Sequence, residues 1–153
     1  MAEVRRIADG EGETVAALWD EQSRTGIDRS PLSEPGRRNI ARMLDTAAWH
    51  ERQLCVVAVE AGRLVGFACA RIDAGTGLLP GLVGEINALY VTPQARGRGT
   101  SSALAKAAIK ELRARGAGVI HNLVCIEDDE AQAFWQGQGF ERDMVCLSLY
   151  ERS

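Results

Sequence analysis

The feature that most constrains the fold is a strand, a glycine-bearing loop and a long helix that follow one another between residues 84 and 116. In the first part, GEINALYV, the apolar residues Ile86, Ala88 and Tyr90 recur at every second position, which predicts a strand. Pro93 ends it, because proline cannot donate to a ladder. From Ala103 onward the apolar residues recur at helical spacing, which predicts a helix that ends at Gly116.

The loop between this strand and helix has the composition of an anion site. Gly97 and Gly99 permit positive φ and carry no side chain that would keep a ligand away from the backbone. The following helix begins with unpaired N–H groups and the positive end of its dipole. Arg96 and Arg98 add positive charge at the rim. The stretch therefore predicts a phosphate site, with an ordinary tight turn and solvated arginines as the alternative.

Two common phosphate sites fail on spacing. A Walker loop needs Lys followed by Ser or Thr directly after its last glycine, whereas Gly99 is followed by Thr100 and Ser101. A dinucleotide fingerprint needs a third glycine or alanine where Ser102 stands, and an acid at the end of the next strand, where the chain has Leu-Val-Cys. Neither an ATP site nor an NAD site is predicted.

The composition favours one globular domain over residues 1–153. Of the 153 residues, 46% are hydrophobic and 25% charged, which suits a chain with a sizeable core. A net charge of -3 argues against a general binder of nucleic acid or membrane surfaces, because such proteins carry a strong basic excess. The N-terminus lacks the apolar run of a signal peptide and no stretch approaches a membrane span, so we expect a cytoplasmic protein.

The cysteines and histidines do not suggest a metal site. The four cysteines contain no CxxC pair and lie in apolar, strand-like runs, which predicts buried thiols in a reducing compartment: Cys55, Cys69, Cys125 and Cys146. His50 and His121 are too isolated to serve as a ligand set, so no metal is expected.

The remaining elements extend the pattern on both sides of the central unit. The predicted order is β-α-α-β-β-β-α-β-α-β with a final strand, an α/β (mixed α+β) fold whose central mixed sheet of six or seven strands carries helices on both faces. The predicted elements are strand Val4–Ala8, a helix from Asp9 or Glu11 to about Gly26, a helix capped by Ser33, a hairpin of Gln53–Glu60 and Arg63–Arg71, strand Val119–Cys125, a helix capped by Asp128 or Asp129, and two strands between Phe140 and Tyr150. The segments Thr25–Leu32, with Asp28 and Arg29, and Asp73–Pro80 are predicted loops.

These residues together resemble the GCN5-related N-acetyltransferases. The family motif is Arg or Gln, two residues, Gly, one residue, then Gly or Ala, and the chain matches it from Arg96 to Ser101 with serine at the last place. The preceding EINALYVTP and the later DDEAQAFWQGQGF are also similar to family segments, and the order of elements agrees over essentially the whole chain.

The resemblance implies that acetyl-CoA binds where two parallel strands part. The pantetheine arm would follow the backbone of Leu89, Tyr90 and Val91, and the pyrophosphate would lie on the loop amides. The implied cofactor-binding residues are Leu89, Tyr90, Val91, Arg96, Gly97, Arg98, Gly99, Thr100, Ser101, Ser102, Asp128, Ala131, Phe134 and Trp135. An acceptor amine would enter from the other side and attack the thioester carbonyl directly.

The resemblance also assigns roles near the reaction, with two departures. Glu85 matches a position where the family often has a general base; a strand-end carboxylate paired with an arginine is the other reading. Trp135 stands where a tyrosine commonly protonates the leaving sulfur, and an indole N–H only donates a hydrogen bond. Asp128 stands where an asparagine often contacts pantetheine, and it can serve as a helix cap instead.

The sequence thus leads to an acetyl-CoA-dependent N-acetyltransferase whose acceptor is a primary amine of a small molecule or peptide. The alternative is a catalytically weak acyl-CoA-binding sensor or scaffold, suggested by Trp135 and Asp128. A folded domain without a CoA site is a third reading. No nucleic-acid or membrane partner is expected, and the oligomeric state stays open, with a homodimer as one option.

Overall fold

The computed structural model describes residues 2–25, 31–75 and 81–151. Its strands form one five-stranded sheet in the order β1-β2-β3-β4-β5, with antiparallel pairs throughout except for the parallel pair of β4 and β5. The strands are β1 (Glu3–Arg6), β2 (Gln53–Glu60), β3 (Arg63–Ala74), β4 (Leu82–Val91) and β5 (Val119–His121). The helices are α1 (Gly12–Thr25), α2 (Glu34–Ala47), α3 (Thr100–Ala114) and α4 (Asp129–Gly137), and a 3₁₀ turn covers Pro93–Ala95.

The long helix α3 connects the two parallel strands, as the sequence predicts. A crossover between parallel neighbours of one sheet is almost always right-handed and packs its helix onto the sheet. Leu104, Ala108 and Leu112 of α3 are fully buried. The helix therefore covers one face of the sheet and holds the loop before it against the end of β4.

The sheet separates two hydrophobic cores, which confirms the predicted helices on both faces. Alternation along β2 places Leu54 and Val56 in one core and Cys55 and Val57 in the other. The first, called here the α3-side core, also contains residues of α3 and Trp135 of α4. The second, called the α1/α2-side core, contains Val15, Leu44 and Phe67, all at most 1% exposed.

Helices α1 and α2 meet at Gly12. Its amide donates to Asp45 Oδ1 at 2.9 Å, and a Cβ at this position would lie 2.5 Å from that oxygen and even closer to the carbonyl oxygen of Ala41. The approach of the two helices therefore depends on the missing side chain.

We expect Gly12→Ala to destabilise the protein, although alanine normally favours a helix over glycine by about 1 kcal/mol. The added methyl group must push α1 away from α2, and such overpacking costs about 1–3 kcal/mol. Urea unfolding measures the change. Gly137→Ala in α4 is the control, because a Cβ there meets nothing within 4 Å. Equal effects of the two substitutions would contradict the proposed contact.

Asp20 ties α1 to the start of the next segment. Its Oδ1 accepts the N–H of Leu32 at 2.8 Å, and its Oδ2 accepts Arg24 Nε at 3.0 Å. These hydrogen bonds lower the pKa of the Asp20 carboxyl below its usual range. The bond from the Leu32 amide has the larger effect and that from the Arg24 guanidinium the smaller. Ser33 then caps α2 by accepting the Gly36 amide at 3.1 Å, as predicted.

A lowered native pKa makes Asp20 stabilising above its unfolded pKa of about 4, and that contribution is lost as the pH falls through the native value. We therefore expect Asp20→Asn to reduce the melting temperature at pH 7 and to have progressively less effect on acidification. Thermal unfolding across pH measures this, with Asp9→Asn, at an exposed position, as the control. If the difference in melting temperature between the wild type and Asp20→Asn were the same at every pH, the charge of Asp20 would not contribute to stability.

The expected final strands are absent from the described residues, so the sheet has five strands rather than six or seven. Residues 140–151 form neither helix nor strand, and Val145, Leu147 and Leu149 are 81%, 91% and 89% exposed. Their alternation is real, but a period-two pattern becomes a strand only beside a partner backbone.

Element boundaries also differ from the expectations. Helix α3 begins at Thr100, three residues before the first apolar repeat, because polar residues suffice in a first turn. The predicted strand Val119–Cys125 stops at His121, where β5 loses its pairing with β4. Strand β3 runs to Ala74 and takes up the start of the predicted loop Asp73–Pro80. Residues 76–80 and 26–30, with Asp28 and Arg29, lie outside the described residues.

Only two of the four cysteines are buried. Cys55 and Cys69 lie opposite each other in β2 and β3 with their Sγ atoms 3.5 Å apart, and burial raises the pKa of the Cys69 thiol. Cys125 and Cys146 are exposed, so the prediction of burial is wrong for these two. The strand beyond His121 and the C-terminal strands, which would have buried them, do not form.

Within the three described ranges, no helix combines the length and the apolar character that crossing a membrane requires.

Candidate active site

The two parallel strands part halfway along β4. They pair only at Val83–Val119, Gly84–Ile120 and Glu85–His121, whereas β4 continues to Val91. In the described part of the chain no strand pairs with this edge of β4 beyond Glu85. The edge of β4 between Ile86 and Val91 is therefore unpaired among the described residues, and the space beside this edge is called here the cleft.

A β-bulge interrupts β4 at the mouth of this cleft. Ala70 of β3 lies opposite Ile86 and Cys69 lies opposite Ala88, which leaves Asn87 without a partner residue. The extra residue reverses the alternation: Ile86 belongs to the α3-side core, whereas Ala88 and Tyr90 belong to the α1/α2-side core. The predicted strand is present, but the bulge places the Ile86 side chain on the opposite face from Ala88 and Tyr90.

The loop after β4 presents a row of free backbone donors. Gly97 and Gly99 have φ of 81° and 78°, and a Cβ on either would meet nothing within 4 Å. Gly99 is the N-cap residue of α3 and supplies no side-chain cap. The first intrahelical bond runs from Ala103 N to Gly99 O at 3.0 Å. Among the described residues, the amides of Gly97 to Ser102, called here the amide loop, have no acceptor.

The end of α4 braces the amide loop. Gln138, the C-cap residue of α4, donates from Nε2 to Ser102 Oγ at 2.8 Å. Thr100 is only 6% exposed. The Gln138–Ser102 hydrogen bond thus holds the loop against the end of α4, and the loop amides take no part in it.

Both predicted rim arginines are engaged by protein groups. Arg96 donates from Nε to the Val91 carbonyl at 3.0 Å, and its guanidinium lies 5.5 Å from the centre of the Tyr90 ring. Arg98 forms an ion pair with Glu60 and donates to the Gln94 carbonyl at 2.9 Å. Arg96 therefore lies beside β4, whereas Arg98 is turned toward the β2–β3 hairpin.

Two carbonyls of the cleft strand already receive side-chain donors. Gln22 of α1 donates from Nε2 to Leu89 O at 2.9 Å, and Arg96 occupies Val91 O. The Tyr90 side chain lies in the α1/α2-side core; burial, and secondarily the nearby Glu21, raises the pKa of its hydroxyl. Gln22 and Arg96 therefore hold the backbone of this strand at Leu89 and Val91.

Glu85 lies in a row of three polar side chains across the sheet. Its Oε2 accepts Arg71 Nη2 at 3.1 Å and Nε at 3.3 Å, and His121 is its register partner on β5. Register partners project from the same face of a sheet. The Glu85 side chain is 21% exposed, so it is both oriented by Arg71 and open to solvent.

Helix α4 contributes one cap and an aromatic cluster. Asp128 Oδ1 accepts the Ala131 amide at 3.0 Å, which confirms its prediction as a helix cap. Trp135 is 9% exposed and packs edge-on against Phe134 and Phe140, with ring centroids 5.0 and 5.1 Å away. Trp135 therefore belongs to the α3-side core.

Three residues of this region were not predicted from the sequence: Gln22, His121 and Gln138. Gln22 and Gln138 carry no motif and act through long-range contacts. His121 was set aside as isolated, and only the parallel register brings it beside Glu85.

The arrangement of the sheet and the crossover helix defines the class of fold. An aminoglycoside N-acetyltransferase, AAC(6')-Iy, solved in complex with CoA, superposes with a TM-score of 0.79 at 19% identity and covers 100% of this chain and 96% of its own. At that identity the likeness concerns the fold alone.

The chain belongs to the acetyltransferase (GNAT) family, whose model matches residues 16–140. An acetyltransferase of Pectobacterium atrosepticum is 30% identical over 150 residues, covering 98% of this chain and 94% of the relative. A mycothiol acetyltransferase of Stackebrandtia nassauensis is 27% identical over 160 residues, covering 95% of this chain. The chain spans about half the length of that relative, 51%. It spans 29% of the mycothiol acetyltransferase of Paenarthrobacter aurescens and 40% of that of an Arthrobacter species.

Proposed function

We propose that this protein is an acetyl-CoA-dependent N-acetyltransferase that transfers an acetyl group to a primary amine of a small molecule or peptide. The observation that carries the proposal is the amide loop, with six consecutive N–H groups without an acceptor among the described residues, at the end of the strand that borders the cleft. Membership of the family supplies the reaction class.

The donor set of the loop fits the pyrophosphate of CoA. Backbone N–H groups at a helix N-terminus stabilise phosphate oxygens through hydrogen bonds and the helix dipole. The open space at Gly97 and Gly99 allows an anion to reach those groups. Arg96 adds a positive charge beside the Val91 carbonyl, and the pantetheine arm would lie along Leu89, Tyr90 and Val91.

Acetyl-CoA would supply the acetyl group as an activated thioester. The chain's own task is to orient the acceptor and to take a proton from its ammonium group, because a protonated amine is not nucleophilic. Glu85 is our candidate for the general base that accepts this proton. Arg71 holds its carboxylate at 3.1 Å, and the Glu85 side chain remains partly exposed. Attack would then occur directly, in a ternary complex.

We assign no dedicated acid to the departing sulfur. Trp135 stands where the family commonly has a tyrosine that protonates the leaving sulfur. Its indole can donate a hydrogen bond but does not release its proton. Its packing between Phe134 and Phe140 suits a wall of the cofactor site. A thiolate has modest basicity and can leave without proton transfer.

Two relatives are named for small molecules, mycothiol and an aminoglycoside, and these names guide the choice of acceptors to test. We would measure thiol release from acetyl-CoA with an aminoglycoside, a polyamine, an amino sugar and a peptide with a free N-terminus. Saturable turnover with at least one amine is expected. CoA binding without turnover would instead favour an acyl-CoA sensor or scaffold.

A thermal-shift titration with CoA distinguishes the enzyme and the acyl-CoA sensor from a folded domain without a CoA site. A ligand that binds only the native state stabilises it by about 2.7 kcal/mol at a concentration of 100 Kd. An unchanged melting temperature at saturating CoA would contradict both the enzyme and the sensor.

We expect Glu85→Gln to lower kcat most at mildly acidic pH and to leave CoA affinity unchanged, because the amide cannot accept the ammonium proton. General-base contributions are about 10²–10⁴-fold. The measurement is kcat against pH. Glu11→Gln, which removes a carboxylate paired with Arg5 far from the cleft, is the control. An unaltered profile for Glu85→Gln, together with a changed one for His121→Gln, would transfer the role to His121.

A further inference from the structure

The middle of the amide loop is tethered by the side chain of Arg98. Within the described ranges, neither Gly97 nor Arg98 makes a backbone hydrogen bond. Gly97 and Gly99 both have positive φ and open surroundings, and glycine loses more conformational freedom on ordering than any other residue. The Arg98 side chain, which pairs with Glu60 and donates to the Gln94 carbonyl, therefore restrains a stretch that the backbone leaves free.

Packing contributes little to this restraint. Glu60 and Arg98 line a cavity of about 410 Å³ between the β2–β3 hairpin and the 3₁₀ turn. The Arg98 side chain is 50% exposed, so it is not wedged among apolar neighbours. The position of its guanidinium therefore depends on the polar groups that accept its N–H bonds.

Glu60 is suited to hold that guanidinium. Its side chain is only 24% exposed, and in the described part of the chain its Oε2 is buried without a hydrogen-bond partner. A carboxylate that has lost water in this way depends on the donors it keeps, so the pair is stronger than a fully exposed one. Glu60 is the last residue of β2 and is paired with Arg63 of β3, so the sheet fixes its backbone.

We propose that Glu60 is a positioning residue, which acts through Arg98 to hold the amide loop in the conformation that receives a pyrophosphate. The inference rests on the proposed function for the identity of that ligand. A loop that is already ordered in the free protein loses less entropy on binding, and the affinity is higher for that reason. The hairpin and the cleft lie on opposite edges of β4, so Glu60 acts without touching the ligand.

Isothermal titration with CoA tests the proposal. Glu60→Met removes the acceptor of Arg98 and should raise the Kd by about threefold to tenfold, because the loop must then be ordered during binding. Glu60→Gln keeps an acceptor and should lose less affinity. Glu34→Met is the control, since it breaks an exposed pair with Arg38 and changes the net charge equally. An unchanged or lower Kd for Glu60→Met would overturn the proposal, and a lower one would mean that Glu60 competes with CoA for Arg98.

A double-mutant cycle shows whether Glu60 acts through Arg98. In an Arg98→Met background, the further change Glu60→Met should leave the Kd for CoA unaltered, and additive losses would contradict the proposed route. In turnover assays, Glu60→Met should raise the KM for acetyl-CoA and leave kcat unchanged. A fall in kcat at constant KM would assign Glu60 a different role.

Nuclear magnetic relaxation of the free protein tests the tether without any ligand. The backbone order parameters of residues 97–99 should be about 0.85 in the wild type and fall below about 0.6 in Glu60→Met, with α3 unaffected. Equal order parameters in the two proteins would overturn the proposal. A wild type that binds no CoA would contradict the proposed function, whereas the order parameters would still decide whether Glu60 holds the loop.

Discussion

Gly99→Val should weaken CoA binding by about tenfold to a hundredfold. The φ of Gly99 is 78°, a conformation that a β-branched residue rarely adopts, so the backbone that aims the amides must shift. The new side chain would also project into space that is open in the structure. Loss of one hydrogen bond to a charged group costs about 1.5–3 kcal/mol, and each 1.4 kcal/mol is a factor of about ten in Kd.

Isothermal titration with CoA measures the effect, and Gly10→Val provides the control. Gly10 has a φ of 87° and equally open surroundings, but it lies in the turn before α1. Both substitutions should therefore strain the backbone by a similar amount, about 1–3 kcal/mol, and only Gly99→Val should change the affinity. An unchanged Kd for Gly99→Val would remove the amide loop as the pyrophosphate site.

Phe67→Ala should have the largest effect on stability, about 3–5 kcal/mol. Phe67 is completely buried in the α1/α2-side core and stacks on Trp19 with ring centroids 5.7 Å apart. Its removal leaves a cavity between the central strand β3 and α1, the helix that also carries Gln22. The free energy of unfolding of a whole domain is about 5–15 kcal/mol. This single substitution therefore removes a large share of that free energy.

Urea unfolding gives the free energy, and Trp49→Ala is the control, since Trp49 is aromatic but 72% exposed. That control should stay within about 0.5 kcal/mol of the wild type. A loss below 1 kcal/mol for Phe67→Ala would mean that the core repacks around the deletion, which contradicts the close packing described here.

The central unit of the chain could be predicted from sequence because its signals are local. Strand, proline, paired glycines and amphipathic helix each follow from the preferences of adjacent residues, and β4, the amide loop and α3 lie where those preferences place them. The same holds for the Ser33 and Asp128 caps, whose side chains bond to amides three residues ahead.

The rest of the site depends on contacts between residues far apart in sequence. Gln22 reaches Leu89 across 67 positions and Gln138 reaches Ser102 across 36, and neither distance leaves a trace in a local pattern. Arg98 was expected at the rim of the loop, but Glu60 of another strand holds it. The row of Arg71, Glu85 and His121 exists only because three strands align in one register.

The C-terminal segment shows where local signals are insufficient. Its alternation predicts a strand, and yet residues 140–151 pair with no strand among the described residues. A helix satisfies its own backbone, whereas a strand needs a neighbour whose position no short stretch of sequence encodes.

The sequence by itself thus determined the order of the elements from β1 to α4, the family and the glycine-bearing loop between β4 and α3, since these follow from hydrophobic period, glycine and proline. Tertiary structure alone decided where the parallel strands part, which face of β4 each side chain takes after the bulge at Asn87, and which groups surround Glu85. The physical reason is that register, bulges and long-range ion pairs are set by packing between elements and not by the conformational preference of any one of them.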